Sequence, residues 1–397
     1  MNPDLQRLNP YPFTRLRDLF EGIEQPGHRE PVNLGIGEPK QAPPDFVLDA
    51  IHANRADFAR YPLTGGTAEL QAACADWATR RFGLDDGALE PGRNVIPVNG
   101  TREALFGIAQ AVVGGKDSPA VATPNPLYQI YEGAAFMAGA EPVYVAAGGA
   151  GALPDFTALP EATLRRLELV YVGSPANPTG GVMDEAGYRD LFALADAYDF
   201  VIAADECYSE IYPDERRPPT GILEAARNAG RTGFERCLAF HSLSKRSNLP
   251  GLRSGFVAGD PEIIERFLRL RTYQGNASPL PLQAGAAAAW GEEAHVRANR
   301  AAYRERFAAV LEVLGPVLEV AEPDGGFYLW PRVPGGGEAF ARELYAREGI
   351  TVLPGAYLGR DTGNGNPATD RVRIALVDEL ERCVDAAWRM RRVVEEF

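Results

Sequence analysis

Cysteine and histidine are scarce in this chain of 397 residues, with four of each. Cys74, Cys207, Cys237 and Cys383 are scattered, with no Cys-x-x-Cys pair. Such spacing argues against a disulfide framework and for a reducing compartment. His28, His52, His241 and His295 never pair at ligand spacing, so no metal site is expected. Long apolar runs are missing too. Nothing is long enough to cross a bilayer, and the first seven residues carry no apolar signal region. A cytoplasmic protein without a membrane partner is the expectation. Basic charge is in deficit, 40 Lys and Arg against 54 Asp and Glu, for a net charge of −14. Nucleic acid binding needs clustered basic surface, so no nucleic-acid partner is expected. Anionic substrates would need a locally positive site. There is no Walker motif. Gly35-Ile36-Gly37 begins like a dinucleotide fingerprint but lacks the third glycine and the long strand–helix unit around it.

What is present is alternation. After a proline- and glycine-rich start with one short extended segment (Val32 to Ile36), helical periodicity alternates with short apolar runs. The runs are 95–98, 120–123, 142–145, 167–172, 200–204, 237–240 and 255–258. They predict an α/β protein: a large domain with a mostly parallel, seven-stranded sheet sandwiched by helices. Beyond about Ser278 the pattern changes to a long helical stretch over 281–314, strand-like 327–330, a helix over 338–348, strand-like 351–353 and 372–375, and a closing helix from about Glu379. That predicts a smaller α/β domain. The expected division is an N-terminal arm and part of the small domain (1–45), a large cofactor-binding domain (46–285) and a C-terminal small domain (286–397).

In parallel sheets, ligands bind beyond the carboxyl ends of the strands. Here those ends carry Asn99-Gly100-Thr101, Pro124 to Tyr128, Ser174 to Asn177, Asp205, and Ser242 to Lys245. Lys245 is flanked by Ser242 and Ser244, with Arg253 eight positions on. An amine can condense with an aldehyde, and hydroxyls with a guanidinium can hold a phosphate. These are the parts of a pyridoxal 5'-phosphate site. Gly100, Thr101 and Arg102 open a helix whose free amides suit the phosphate, although an ordinary helix cap explains them as well. Asp205 ends a buried apolar strand and can keep a pyridine nitrogen protonated; a capping aspartate is the plainer alternative. Tyr208 and Asn177 are candidates for the phenolic oxygen, with Asn177-Pro178 also a turn signal. Tyr128 is placed to stack on a ring, or to fill the core. Arg373 lies inside an apolar strand-like run, where it needs an anion: a substrate carboxylate or an internal salt bridge.

With these residues in place, the chain resembles the fold-type I pyridoxal-phosphate aminotransferases, the aspartate aminotransferase superfamily, over essentially its whole length. Ser-x-Ser-Lys with arginine eight on, Asp-x-x-Tyr, Asn-Pro-x-Gly, Gly-Thr-Arg-Glu and a late arginine occur in the family's order. The resemblance implies that Lys245 is the residue bonded to the cofactor and that Asp205 pairs its pyridinium. It implies Tyr208 and Asn177 at the phenolic oxygen and Tyr128 on the ring. Gly100, Thr101, Arg102, Ser242, Ser244 and Arg253 would hold the phosphate, Arg373 the substrate α-carboxylate, and Gly37 would lie against the substrate. Tyr61 matches a tyrosine that crosses from the second subunit, which implies a homodimer with shared active sites.

A narrower likeness lies in the wording of 33–40, 125–133, 205–212 and 242–251. It is to proteobacterial succinyldiaminopimelate aminotransferases of lysine biosynthesis, which exchange an amino group between N-succinyl-LL-2,6-diaminopimelate and 2-oxoglutarate by a ping-pong route. Small amino acids and 2-oxo acids are then the partners. Lys40, Arg102, Arg246 and Arg271 are candidates for the distal carboxylates, Lys40 foremost. The rivals are an aminotransferase for acetylornithine, aspartate or aromatic substrates, a C–S lyase on the same fold, and a cofactor-sensing regulator. The last would carry a DNA-binding domain, and no basic helix-turn-helix segment precedes the arm.

Overall fold

The computed structural model describes residues 2–147 and 149–397. Strand β1 (Val32–Asn33) stands apart from the main sheet. The next seven strands make that sheet: β2 (Val95–Val98), β3 (Ala120–Asn125), β4 (Glu141–Ala146), β5 (Leu167–Gly173), β6 (Val201–Asp205), β7 (Cys237–Ser242) and β8 (Gly255–Gly259). Their order across the sheet is β2-β8-β7-β6-β5-β3-β4. All neighbours are parallel except β8, which runs against both β2 and β7. Two reversals leave β2 running with the rest. Its carboxyl end therefore opens on the same edge as Asn125, Gly173, Asp205 and Ser242, where the sequence placed the polar segments.

The sheet is covered on both sides, which is why its strands read as continuous apolar runs. Side chains alternate between the two faces. Ala120, Val170, Val172, Ile202, Ala204, Ala239 and Phe256 pack toward Trp77, Phe82 and Trp290. Their neighbours Val121, Leu169, Tyr171, Ala203, Leu238, Phe240 and Val257 pack toward Leu105, Ile108, Tyr131 and Phe267. Trp77 sits on the helix Ala68–Phe82, which the Thr67 hydroxyl caps at its start and Gly83 ends in the left-handed conformation at φ 59°. Each large aromatic buried this way contributes roughly 1.5–3 kcal/mol.

A separate core gathers Val32 and Leu34 with Phe307, Val310, Leu329, Phe340, Val372, Ile374 and Met390. Strands β9 (Tyr328–Leu329), β11 (Leu353–Pro354) and β12 (Val372–Ala375) form a small antiparallel sheet there, in the order β11-β12-β9. β10 (Ile350–Thr351) pairs in parallel with β1. The single strand expected at 351–353 is thus two, because the chain changes partner at Val352. The helical stretch expected over 281–314 is also two pieces, Leu280–Gly291 and Ala294–Leu314. Glu292 breaks it: its backbone is extended, and its carboxylate accepts from the Ala294 amide at 2.5 Å and the His295 amide at 3.0 Å, starting the second helix afresh. In the arm, Pro12–Leu19 forms a helix where only irregular chain was expected, with proline at its first position. No helix among the described residues is long and apolar enough to cross a membrane.

Candidate active site

The strand ends surround a cavity of about 520 Å³. That volume suits a cofactor with part of a substrate. Ser242 ends β7 and caps the short helix Leu243–Arg246, its hydroxyl accepting from the Ser244 amide at 3.1 Å. The cap aims Lys245 into the cavity, where its Nζ donates to the Gly37 carbonyl at 2.5 Å and lies 5.4 Å from the Phe327 ring centre. Burial pulls the Lys245 amine down to about 8; Cys207 opposes the shift and the nearby Arg373 cation adds to it. Above that pH the amine is a free base, the form a nucleophile or proton acceptor requires. For a group whose folded value is depressed, the neutral fraction falls tenfold per unit below the midpoint. Apo-protein mixed with pyridoxal phosphate should therefore take it up about tenfold faster per pH unit up to pH 8 and level off above. Stopped-flow absorbance checks this, and a flat profile between pH 6 and 8 contradicts it.

Asp205, at the end of β6, is buried, and burial raises its carboxyl. Two donors hold it, the Tyr131 hydroxyl at 2.7 Å and the Cys207 amide at 3.3 Å. Both are neutral, so the carboxylate still has room for a cationic partner.

Anion-binding groups converge beside it. The helix Thr101–Val112 follows Gly100, whose φ is 84°. Amides in the first turn of a helix have no helical acceptor, and the helix dipole favours an anion there. Arg253, itself in the left-handed region, bonds only carbonyls: Pro250 at 2.8 Å and Asn99 at 3.4 Å. A Cβ on Gly100 would lie 2.4 Å from that guanidinium, so only glycine keeps the cradle open. Gly37 is constrained likewise, since a Cβ would fall 1.9 Å from the Tyr328 hydroxyl.

On the substrate side, Arg373 in β12 is 4% exposed. It donates to the Asn177 side-chain oxygen at 3.0 Å and the Gly35 carbonyl at 2.9 Å, and its Nε has no partner. Among the described residues it has no carboxylate partner, which removes the internal salt bridge as its explanation. Tyr208 bonds the Tyr328 hydroxyl at 2.8 Å. At the rim, Arg102 donates to the hydroxyls of Tyr128 and Tyr11 at 2.8 and 2.9 Å.

The structure therefore brings Gly37, Thr101, Arg102, Tyr128, Asn177, Asp205, Tyr208, Ser242, Ser244, Lys245, Arg253 and Arg373 to one cavity, with Gly100 at its edge. Tyr61 is fully exposed and does not line this cavity of its own chain. Three candidates for the distal carboxylates are corrected. Lys40 pairs with the buried Asp378 at 2.5 Å and does not reach the cavity. Arg246 is buried between Trp77 and Trp290 and paired with Glu293. Arg271 is buried and paired with Glu103 at 2.5 Å. Arg246 and Arg271 are buried structural cations, Lys40 is a partly exposed one held by Asp378, and Arg102 alone of the four lines the cavity.

Several lining residues have no counterpart in the motifs. Tyr11, Pro12 and Phe13 come from the start of the arm helix, Leu353 and Leu358 from a small cluster they share with Leu16 and Phe13 of the arm, and Tyr131, given no role above, from the helix Gln129–Met137. Glu132 fastens this wall: it accepts from Asn9 at 3.0 Å, Tyr144 at 2.6 Å and Arg360 at 2.6 Å.

The residues fit pyridoxal phosphate. A buried amine held well below the ordinary lysine value, a buried acid lacking a cation, and an anion cradle that a Cβ would crowd lie together. Comparison with known proteins agrees. The family model for aminotransferase class I and II matches residues 29–386. An LL-diaminopimelate aminotransferase of Desulforudis audaxviator is 33% identical over 399 residues, covering 98% of this chain and 96% of the relative. A crystal structure of an aminotransferase from Neisseria meningitidis is 46% identical with a TM-score of 0.95, covering 99% of this chain and all of the other (100%). A probable N-succinyldiaminopimelate aminotransferase from Thermus thermophilus superposes with a TM-score of 0.82 at 26% identity, covering 96% of this chain and 99% of its own.

Proposed function

The chain belongs to the class I and II aminotransferases, which depend on pyridoxal phosphate, and from that premise we propose that it transaminates a diaminopimelate-type dicarboxylic amino acid. The preferred form is N-succinyl-LL-2,6-diaminopimelate, with 2-oxoglutarate as the partner oxo acid, in lysine biosynthesis. Three arginines without carboxylate partners among the described residues line the cavity, and the observation that carries this reading is that two of them, Arg373 deep and Arg102 at the rim, remain for substrate once Arg253 is given to the phosphate. Arg373 suits the carboxylate next to the reacting carbon, which both proposed partners carry, and Arg102 suits a distal carboxylate, of which 2-oxoglutarate has one and the succinylated amino acid two.

When bound, the cofactor supplies a protonated ring that draws electron density from the substrate's α-carbon. Asp205 keeps the ring nitrogen's proton in place. Arg373 fixes the α-carboxylate, with Gly37 leaving room for it. Lys245 Nζ takes the α-proton of the amino donor and, in the second half of the ping-pong cycle, returns a proton to the α-carbon of the oxo acid. Tyr208 and Asn177 would donate to the phenolic oxygen, Tyr128 would stack on the ring, and the first-turn amides of Thr101 and Arg102, with Ser242, Ser244 and Arg253, would hold the phosphate. The protein acts as a cytoplasmic homodimer in this reading. The exposed apolar residues Phe58, Tyr61 and Leu63 support an interface there, with Tyr61 reaching the partner's phosphate site. The expected division into an arm (1–45), a cofactor-binding domain (46–285) and a small domain (286–397) is kept as part of the proposal.

A second reading is favoured by the relative named above: LL-diaminopimelate itself, without the acyl group. Glutamate-dependent assays with succinylated, acetylated and free diaminopimelate, and with acetylornithine, separate the two. Release of ammonia or a thiol instead of glutamate exchange would mean a lyase. Arg102→Ala should lower kcat/KM for substrates with a distal carboxylate by roughly 10- to 100-fold while sparing alanine. Equal loss on both substrates rejects the role given to Arg102.

A further inference from the structure

Tyr131 falls within the 125–133 likeness without a role assigned to it, yet it makes the shorter of the two hydrogen bonds to Asp205, at 2.7 Å against 3.3 Å. We propose that Tyr131 is a positioning residue that fixes the Asp205 carboxylate in its ionised, ring-facing orientation and so sets how firmly the cofactor's ring nitrogen stays protonated. The inference rests on the pyridoxal-phosphate reading of the site.

Geometry carries it. The Tyr131 ring stacks on Tyr171 at 4.5 Å with the planes 10° apart, and meets Tyr128 edge-on at 5.6 Å and 88°. Tyr171 is itself pinned, its hydroxyl donating to the Leu105 carbonyl at 2.6 Å. Tyr131 is 4% exposed, and the acceptor its hydroxyl meets is Asp205. The phenol therefore has one place to donate, Asp205 Oδ2. Binding there fills one carboxylate oxygen and leaves Oδ1, with its longer bond to the Cys207 amide, for the ring. A hydrogen bond to a charged acceptor is among the strong ones, and it favours the ionised acid against the burial that opposes ionisation. Burial and the adjacent carboxylate push the phenol's own ionisation far above the working range. The donor is thus permanent, unlike an imidazole, which would switch near neutrality.

Tyr131→Phe keeps the stacked ring and removes only the donor. The loaded variant should bind pyridoxal phosphate about tenfold or more weakly. The pH midpoint of its visible-absorbance titration should rise by about one unit, because a ring holding less positive charge makes the Lys245 nitrogen easier to protonate. kcat should fall more than KM rises. Tyr131→His should restore most of the affinity and add a pH dependence between about 6 and 8 that the parent lacks. Apo-protein melting temperatures report whether packing was disturbed. A Phe variant with parental affinity and absorbance titration overturns the proposal. So does a His variant no better than Phe when both melt like the parent. If Lys245→Ala still gave the parental visible band, the cofactor reading itself would fail, whatever Tyr131 does.

Discussion

Lys245→Ala protein should show no transamination, a loss of about 10⁴-fold or more, and none of the parental visible band once unbound pyridoxal phosphate has been removed. The loss is large because one atom has two tasks. Nζ is the nucleophile that captures the aldehyde and the base that moves the α-proton, and no other amine among the described residues lines the cavity. Its surroundings prepare it for both, since burial holds it near pH 8 rather than at the ordinary lysine value. Lys245→Arg should fail equally: it keeps the charge but supplies neither a free base nor a nucleophile. Quenched-flow assay of glutamate formation and a visible spectrum suffice. Arginine supporting turnover would show that charge, not the amine, matters there.

Arg373→Met should lower kcat/KM for every amino donor by about 10² to 10³-fold, the scale of losing one side of a buried, charge-assisted pair. The fold should barely notice. In the empty site Arg373 is a buried cation facing only Asn177, a carbonyl and the Tyr328 ring at 4.4 Å, so it is a burden that methionine relieves while filling similar volume. Thermal melts should move by no more than the equivalent of about 1–2 kcal/mol, in either direction. Activity loss with stability kept marks a binding group. A collapse of both would mark a structural arginine of the kind Arg271 is.

That contrast shows what the chain disclosed and what it withheld. The seven main strands were legible because a sheet covered on both sides leaves uninterrupted apolar runs. The chemistry was legible because each polar segment directly follows such a run. Pairing between cations and acids was not. Lys40 meets Asp378, Arg246 meets Glu293 and Arg271 meets Glu103, partners remote in sequence that no local pattern announces. The arm helix hid behind its prolines, and Glu292, an ordinary acid in sequence, turned out to split a helix. Tyr131 stood inside the 125–133 likeness, three positions after Tyr128, but nothing in the sequence tied it to Asp205, 74 residues on.

The walls around Lys245 have two origins. The floor belongs to strand ends that cannot shift without disrupting the sheet. The roof is assembled from Tyr11, Pro12, Phe13, Leu353 and Leu358, which lie on segments outside it. Roof side chains can therefore be rewritten without disturbing the strand ends that carry Asp205 and lead into Lys245.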